Sequence, residues 1–237
     1  MKLHTVTITG ADDSTDISQL VDLSAEFQFV EWAILVSKRQ EGSSRFPSRA
    51  WIDRFAITAT NNNLKVATHI CGRWVRELFC GELAWIDLPA SVEVSQRVQI
   101  NIHAEPHVST VAMFSNLLAR GEKTFIFQWD GVNDHLAFAA REYGLESAAL
   151  FDTSGGAGVL PSEGWRAPSV TVSCGFAGGL GPTNIEDQVK LISSACPPDY
   201  STWVDMERRV RTDDDSRLDM SRVRKVLEAV RSAGWVN

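Results

Sequence analysis

Residues 169–207 read SVTVSCGFAGGLGPTNIEDQVKLISSACPPDYSTWVDME. An apolar, β-branched run at 169–176 is followed by a glycine-rich turn, an amphipathic segment at 184–195 and a second apolar run at 201–207. The apolar runs predict strands and the amphipathic segment predicts a helix. Two strands joined through a helix are typical of a parallel βα unit, so this stretch predicts a parallel sheet.

The same alternation extends over the whole chain. Strand-like runs occur at 5–10, 29–36, 64–71, 98–103, 123–129, 148–154, 169–176 and 201–207. Helical patterns occur at 14–27, 48–59, 73–79, 107–121, 132–144, 184–195 and 219–234. Strand-like runs that are mostly followed by a helix, in a chain of 237 residues, predict a single-domain (β/α)8 barrel. A doubly wound open sheet is the alternative, but no GxGxxG motif follows the first run to support its dinucleotide-binding form.

Composition narrows the classes of partner. The net charge of −7 argues against a nucleic acid or an anionic membrane surface as the main partner. The N-terminus lacks a signal peptide's apolar core, and no apolar run reaches membrane-spanning length. Cys71, Cys80, Cys174 and Cys196 form no CxxC pair, which favours reduced thiols. We therefore expect a cytoplasmic protein with no nucleic-acid or membrane partner, either a monomer or a homodimer.

Polar residues follow nearly every predicted strand, where the catalytic groups of such barrels lie. They are Thr9, Asp12, Asp13, Arg45, His69, Cys71, His103, Gln128, Asp130, Asp152, Gly178, Gly179, Asp205 and Glu207. Such a set predicts a cavity with a polar lining. His69 and Cys71 share one face of their strand, but no paired ligand spacing accompanies them, so we predict neither a metal nor a cofactor.

The stretch AGGLGPTNIEDQ (177–188) predicts a phosphate site. A glycine turn before a helix N-terminus leaves backbone N–H groups free to hold a phosphate. Barrels often bind phosphate with the loops after their last two strands, and this loop follows the seventh. Glycines also serve simple tight turns, so the alternative interpretation of Gly178 and Gly179 is structural. We expect a small phosphorylated substrate.

The order of motifs resembles that of the phosphoribosylanthranilate isomerase family. TVTITGADD is similar to that family's VKICGIT, INIHAE (100–105) to QLHGEE, and LFDTSGGAG (150–158) to LLDT followed by a GGxG loop. FAGGLGPTNI is similar to SGGLNPENV and WVDMERRVR to VDVSSGVE, while Arg45 resembles the arginine after the second strand.

The resemblance implies an Amadori-type aldose–ketose isomerase of tryptophan biosynthesis. Asp152 would be the general acid that protonates the ring oxygen as the ribose opens, and His103 would be the family histidine. Arg45 would hold the anthranilate carboxylate. Gly155 and Gly156 would belong to a loop that covers the ligand. Gly178, Gly179 and the loop after Asp205 would bind the phosphate.

The sequence differs from the family pattern at the residue that acts as the catalytic base. Thr9 stands where the family has its catalytic cysteine, and a threonine hydroxyl is a poor base near neutral pH. Asp12, Asp13 or Cys71 could substitute, because surroundings that raise the pKa of a carboxylate make it a base. The loop MERRVR brings Glu207 and Arg208, and Arg208, Arg209 or Arg211 could hold the phosphate or simply balance the acidic residues 213–215.

Three functions remain open at this stage. The first is an isomerase relative with an altered general base. The second is a barrel that has lost catalysis and binds a phosphorylated ligand as a regulatory protein. The third is a metal-dependent hydrolase or lyase that uses His69, His103 and carboxylates. A Schiff-base aldolase is disfavoured because no lysine lies near the sixth strand end.

Overall fold

Each of the eight strand-like runs forms a strand in the computed structural model, which describes residues 1–102 and 110–236. The strands are β1 (Lys2–Thr9), β2 (Val30–Val36), β3 (Val66–Ile70), β4 (Arg97–Ile100), β5 (Thr124–Trp129), β6 (Ser147–Phe151), β7 (Ser173–Ala177) and β8 (Ser201–Met206). Neighbours in the chain pair in parallel, and β8 pairs with β1 to close the barrel. The predicted (β/α)8 barrel is confirmed, and closure excludes the open sheet.

Helices pack around the strands. They are α1 (Ile17–Glu26), α2 (Arg49–Asn61), α3 (Arg73–Phe79), α4 (Ser91–Val94), α5 (Thr110–Leu118), α6 (Leu136–Glu142), α7 (Ile185–Ala195) and α8 (Met220–Ser232). The side chains of Asp16, Ser48 and Asp219 accept hydrogen bonds from first-turn N–H groups of α1, α2 and α8. Such caps satisfy N–H groups that have no partner within the helix. Within the described ranges, none of these helices has the length and apolarity to cross a bilayer.

Two element boundaries differ from the predicted ones because of polar side chains. β7 starts at Ser173 and not at 169, since the Ser169 hydroxyl accepts from the N–H of Thr171 at 3.0 Å and folds this stretch into a turn. Likewise, Asp130 Oδ1 accepts from the N–H of Val132 at 3.0 Å, so α6 starts only at Leu136. Local hydrogen bonds from Ser and Asp compete with regular structure in this way.

Two connections between strands differ from the regular strand–helix alternation. One contains additional short helices, and the other contains no helix. Between β3 and β4 lie a 3₁₀ turn at Trp85–Asp87 and the short α4, neither of which the sequence patterns predict. Between β6 and β7, residues 152–172 contain no helix. Instead the Trp165 ring packs edge-on against Phe151 and Phe176, with ring centroids 5.9 and 5.8 Å apart. Trp165 thus covers two strands that a helix covers elsewhere.

The barrel interior below the site combines a buried ion pair with apolar side chains. An ion pair joins Arg97 Nε to Glu31 Oε2 at 2.9 Å, and Thr7 Oγ1 donates to the same carboxylate at 2.9 Å. The Arg97 guanidinium lies 4.5 Å from the centroid of the Trp203 ring. Gly175 makes room for that ring, because a Cβ there would lie 2.1 Å from it. A buried ion pair needs such additional contacts to offset desolvation.

Candidate functional site

The carboxyl ends of β3 to β8 surround an open cleft, whose volume is about 580 Å³ when the solvent space at its mouth is included. From the predicted set it is lined by His69, Gln128, Asp152, Gly156, Gly178, Gly179, Asp205, Glu207 and Arg208. A neighbouring cleft, toward β2 and β3, is lined by Arg45, Cys71 and Gly155 and shares Gly156, Glu207 and Arg208 with the first. The structure therefore brings most of the predicted residues to one end of the barrel.

An aspartate and a histidine lie side by side at the floor of the cleft. Asp205 is the penultimate residue of β8, and its Oδ1 accepts a hydrogen bond from the Thr9 hydroxyl of β1 at 2.9 Å. His69 of β3 approaches the other oxygen, with Nε2 3.5 Å from Oδ2. Thr9, His69 and Asp205 are 1%, 4% and 6% exposed. The Asp205–His69 pair thus lies under the cleft, with Thr9 orienting its carboxyl group.

Burial changes the protonation of this pair. It raises the pKa of Asp205 to about 8, to which the nearby carboxylates of Glu31 and Glu207 contribute. It lowers the pKa of His69 to about 3, with the Arg97 charge acting in the same direction. Desolvation disfavours the charged form of either group. At pH 7 the pair is therefore neutral, with the proton on Asp205.

Two glutamines beside the pair carry unsatisfied oxygens. Gln99 and Gln128 line the cleft at 5% and 3% exposure. Neither Oε1 atom accepts a hydrogen bond from the described part of the chain. A buried acceptor without a donor is costly, so these atoms suit a ligand hydroxyl or a water. Gln99 was not singled out from the sequence, although it shares a strand face with Asn101.

Cys71 lies to one side of the pair and not under it. Burial raises the pKa of its thiol to about 12. Asn101 Nδ2 donates to Cys71 Sγ at 3.1 Å, and Gln99 Nε2 donates to Asn101 Oδ1 at 2.7 Å. A thiol with such a pKa stays protonated near neutral pH, so this arrangement does not favour Cys71 as a base.

Asp152 lies directly after β6, across the cleft from Thr9 in the barrel order. Its Oδ1 accepts from the N–H and the hydroxyl of Ser154 at 2.9 and 2.6 Å. Among the described residues, no donor reaches Oδ2. The side chain is therefore fixed through one oxygen and presents the other to the cleft. Ser154, which sequence reasoning missed, follows from the DTS triplet.

The two glycines that follow β7 have a packing role of their own. A Cβ at Gly179 would lie 2.6 Å from Leu160 N, and one at Gly178 would lie 3.0 Å from Val159 O. Both residues have positive φ, 105° for Gly178 and 68° for Gly179. The loop after β6 packs directly on this turn, so close approach explains these glycines without a phosphate. Phosphate binding here remains a prediction.

The turn before α7 already contains hydrogen bonds to a side chain. The Asn184 side chain accepts from Gly181 N at 2.9 Å and donates to Gly179 O at 2.9 Å. Glu186 and Asp187 lie in the first turn of α7 and complement its dipole. An anion at this loop would therefore meet the glycine turn and the arginines beside it, and not the helix end alone.

The three arginines after β8 have different environments. Arg211 is fully buried and binds the Asp12 carboxylate at 2.9 Å, which makes it structural. Arg208 Nε donates to Gly156 O at 2.9 Å, and its side chain lies over Gly158. Arg209 lines the cleft beside it. Residues 1–102 and 110–236 supply no carboxylate within ion-pair distance of Arg208 or Arg209.

The charged residues of the early loops are engaged elsewhere. Arg45 NH1 binds Glu207 Oε1 at 2.6 Å, so a substrate carboxylate at Arg45 would compete with Glu207. Burial acts to raise the pKa of Asp12, but hydrogen bonds from Ser14 and Arg211 outweigh it and the net pKa lies below the ordinary value.

Asp13 Oδ1 accepts from the N–H and hydroxyl of Ser48, which caps α2. This geometry does not favour Asp12 or Asp13 as the base.

His103 lies outside the described residues, so the role that the resemblance implies for it stays a prediction. The same holds for the metal site that would combine His69 and His103. Within the described parts of the chain, no three His, Cys, Asp or Glu side chains come together as a metal site.

No protein-family model and no curated protein sequence matches the chain. Solved structures do. N-(5′-phosphoribosyl)anthranilate isomerase from Pyrococcus furiosus aligns with a TM-score of 0.54 and 14% identity, over 96% of this chain and 98% of that one. 3-Hexulose-6-phosphate synthase from Salmonella typhimurium aligns with a TM-score of 0.51 and 14% identity, over 98% and 100%.

Phospho-2-dehydro-3-deoxyheptonate aldolase from Thermotoga maritima aligns with a TM-score of 0.58 and 10% identity, over 99% of this chain and 70% of that one. The likeness shows the fold, a TIM barrel. At these identities, the activities of the three proteins do not transfer with it.

Proposed function

We propose that the chain is an Amadori-type aldose–ketose isomerase that acts on a phosphorylated sugar. The observation that carries the proposal is the composition of one cleft. It combines two carboxyl groups, Asp152 and Asp205, with two arginines, Arg208 and Arg209, that have no carboxylate partner in the described residues. Opening a sugar ring and moving a proton between two carbons needs an acid and a base, and a phosphate needs cations.

The charge of the molecule supports a phosphate at the arginines. The chain carries 30 acidic and 23 basic side chains, yet Arg208 and Arg209 lie in the cleft without an acidic partner from the described residues. Guanidinium groups bind phosphate oxygens in a bidentate manner. The loops after the seventh and eighth barrel strands, where Gly178 and Arg208 lie, are a frequent phosphate site in this fold.

Asp152 has the geometry of a proton donor in this reaction. Ser154 fixes its Oδ1, and its Oδ2 faces the cleft between the two loops. It occupies the position that the LFDTSGGAG resemblance assigns to the general acid. The three similar structures are all named for a phosphorylated sugar or sugar acid, and they support the substrate class through the fold they share.

The phosphate end of the proposal is tested by ligand-induced thermal stabilisation. Inorganic phosphate and ribose 5-phosphate are titrated into the wild type and into a variant with Arg208→Ala and Arg209→Ala. Arg54→Ala is the matched control, because Arg54 is exposed on α2 and donates only to its own helix. Ligands that bind the folded state alone raise the melting temperature.

We expect ribose 5-phosphate to stabilise the wild type and the control equally. Two charge-assisted contacts contribute roughly 1.5–3 kcal/mol each, so the double variant should bind at least tenfold more weakly. Equal stabilisation of all three proteins would show that Arg208 and Arg209 do not bind the phosphate. No stabilisation of the wild type at any concentration would contradict the phosphosugar proposal.

A second candidate function is a barrel that binds the phosphosugar without transforming it. One observation favours it: Thr9 replaces the cysteine base, and its hydroxyl is already committed to Asp205. Such a protein would be stabilised by ribose 5-phosphate in the same assay and would not catalyse isomerisation.

A further inference from the structure

The proposed reaction assigns the general acid to Asp152 and does not yet assign the base. Asp152 supplies one proton transfer, and an aldose-to-ketose conversion needs a second group that removes a proton from carbon. Asp12 binds Arg211 and Asp13 binds Ser48, while Cys71 is a buried thiol at the side of the cleft. None of these predicted substitutes has an oxygen or sulfur poised over the cleft floor.

We propose that Asp205 is the catalytic base and that Thr9 and His69 are positioning residues. Thr9 holds one carboxyl oxygen of Asp205 through a hydrogen bond, and His69 contacts the other. This inference rests on the proposed isomerase function and names the group that replaces the missing cysteine. Closure of the barrel makes the replacement possible, because β1 and β8 are neighbours in register and Thr7 lies opposite Asp205. Thr9 lies at the position that resembles the family cysteine. In this proposal the base is instead the carboxylate of Asp205 on β8, the strand that pairs with β1.

Asp205 has one side-chain hydrogen bond and one longer contact. The Thr9 hydroxyl donates to Oδ1 at 2.9 Å, and His69 Nε2 lies 3.5 Å from Oδ2. The unsatisfied Oε1 atoms of Gln99 and Gln128 line the same cleft. They can accept hydrogen bonds from sugar hydroxyls next to the carbon that loses its proton, which would hold that carbon over the carboxylate.

Protons and electrons balance in the proposed rearrangement. Asp152 gives a proton to the ring oxygen as the C1–O bond breaks, which leaves an iminium at C1. Asp205 takes the proton from C2, and the C–H electron pair forms the C1–C2 double bond of an enolamine. Tautomerisation then places a proton on C1 and removes one from the C2 hydroxyl. C1 is reduced and C2 is oxidised, so no external oxidant or reductant is needed.

The charged groups around Asp205 set the pH at which it acts. Glu31, Glu207 and Arg97 act on it electrostatically, and His69 faces it as a neutral ring. Burial and the two glutamates keep the carboxyl group protonated at pH 7, whereas a base must be ionised. Turnover should therefore rise with pH through about 8, the pKa of Asp205.

The test measures isomerisation of phosphoribosylanthranilate, formed by mixing ribose 5-phosphate with anthranilate, between pH 6 and 9. Wild type is compared with Asp205→Asn, Asp205→Glu and Thr9→Val, and Asp53→Asn is the control because Asp53 is exposed on α2. Thermal stabilisation by ribose 5-phosphate is measured for every variant. It shows that a variant is folded and still binds.

We expect Asp205→Asn to lose at least about 100-fold in kcat while it keeps its ligand-induced stabilisation. Asp205→Glu should recover part of the rate. Thr9→Val should displace the alkaline rise of the pH profile, which a purely structural role would not do. If Asp205→Asn turns over as fast as the control while the wild type is active, the base assignment is overturned and the isomerase function stands. If the wild type itself does not turn over the substrate, both the base assignment and the isomerase function are contradicted.

Discussion

At the scale of single residues, Asp205 and His69 lie side by side under the cleft, and burial moves their pKa values in opposite directions. Each pKa shift also affects folding stability. A group whose pKa differs between the folded and unfolded states makes the free energy of unfolding depend on pH. The folded protein holds an extra proton on Asp205 between about pH 4 and 8. It lacks a proton on His69 between about pH 3 and 6.5.

We predict that the free energy of unfolding falls as pH rises from 6.5 to 8. Below pH 6.5 the two contributions oppose each other, since stability from His69 is lost as pH falls and stability from Asp205 is lost as pH rises. Above 6.5 only the Asp205 contribution remains, at up to about 1.4 kcal/mol per pH unit. Urea unfolding at half-unit pH steps measures it.

Asp205→Asn removes the titrating group, so the free energy of unfolding of this variant should no longer fall between pH 6.5 and 8. The exposed-site variant Asp53→Asn should keep the wild-type slope. A wild-type stability that is constant or rises between pH 6.5 and 8 would show that Asp205 is ionised in the folded protein at neutral pH.

The residues of the site were predictable from sequence to different degrees. Asp152 and Asp205 follow apolar runs, and a residue at the carboxyl end of a barrel strand lies at the cleft. The hydrogen bond between Thr9 and Asp205 was not predictable, because it joins residues 196 positions apart and exists only when the last strand pairs with the first. Nor does sequence show that Arg211 is buried while Arg208 is not.

At the scale of elements, the apolar runs predicted all eight strands because strand cores between strong turn signals leave little ambiguity. The start of β7 differs from the predicted one because Ser169 accepts a hydrogen bond from a backbone N–H group, and the start of α6 differs because Asp130 does the same. The connection from β6 to β7 is less regular. It relies on Trp165, whose Nε1 also donates to Gln188 Oε1 on α7 at 2.9 Å.

We predict that Trp165→Ala lowers the free energy of unfolding by roughly 3 kcal/mol, because it uncovers Phe151 and Phe176 where no helix shields them. Trp165→Phe keeps a ring against both neighbours and loses only the hydrogen bond, so it should cost about 1 kcal/mol. Urea unfolding of the three proteins gives the difference. A loss under about 0.5 kcal/mol for the alanine variant would mean that other side chains cover these strands.

At the scale of the whole molecule, closure of the barrel gathers groups from both ends of the chain into one cleft. Asp152 follows the sixth strand, Asp205 and Arg208 lie at the end of the eighth, and Thr9 of the first strand donates a hydrogen bond to Asp205 from below the cleft. An open sheet would separate the first and last strands and leave Asp205 without Thr9. The fold therefore creates the arrangement on which the proposed chemistry depends.

The most direct measurement of the isomerase proposal is turnover of phosphoribosylanthranilate by the wild type beside Asp152→Asn and the exposed-site control Asp53→Asn. Loss of a general acid typically costs about 10²–10⁴ in rate. We expect wild type and control to turn over equally and Asp152→Asn to fall by at least about 100-fold, with ribose 5-phosphate still stabilising all three. Absence of turnover in the wild type, or full activity in Asp152→Asn, would contradict the proposal.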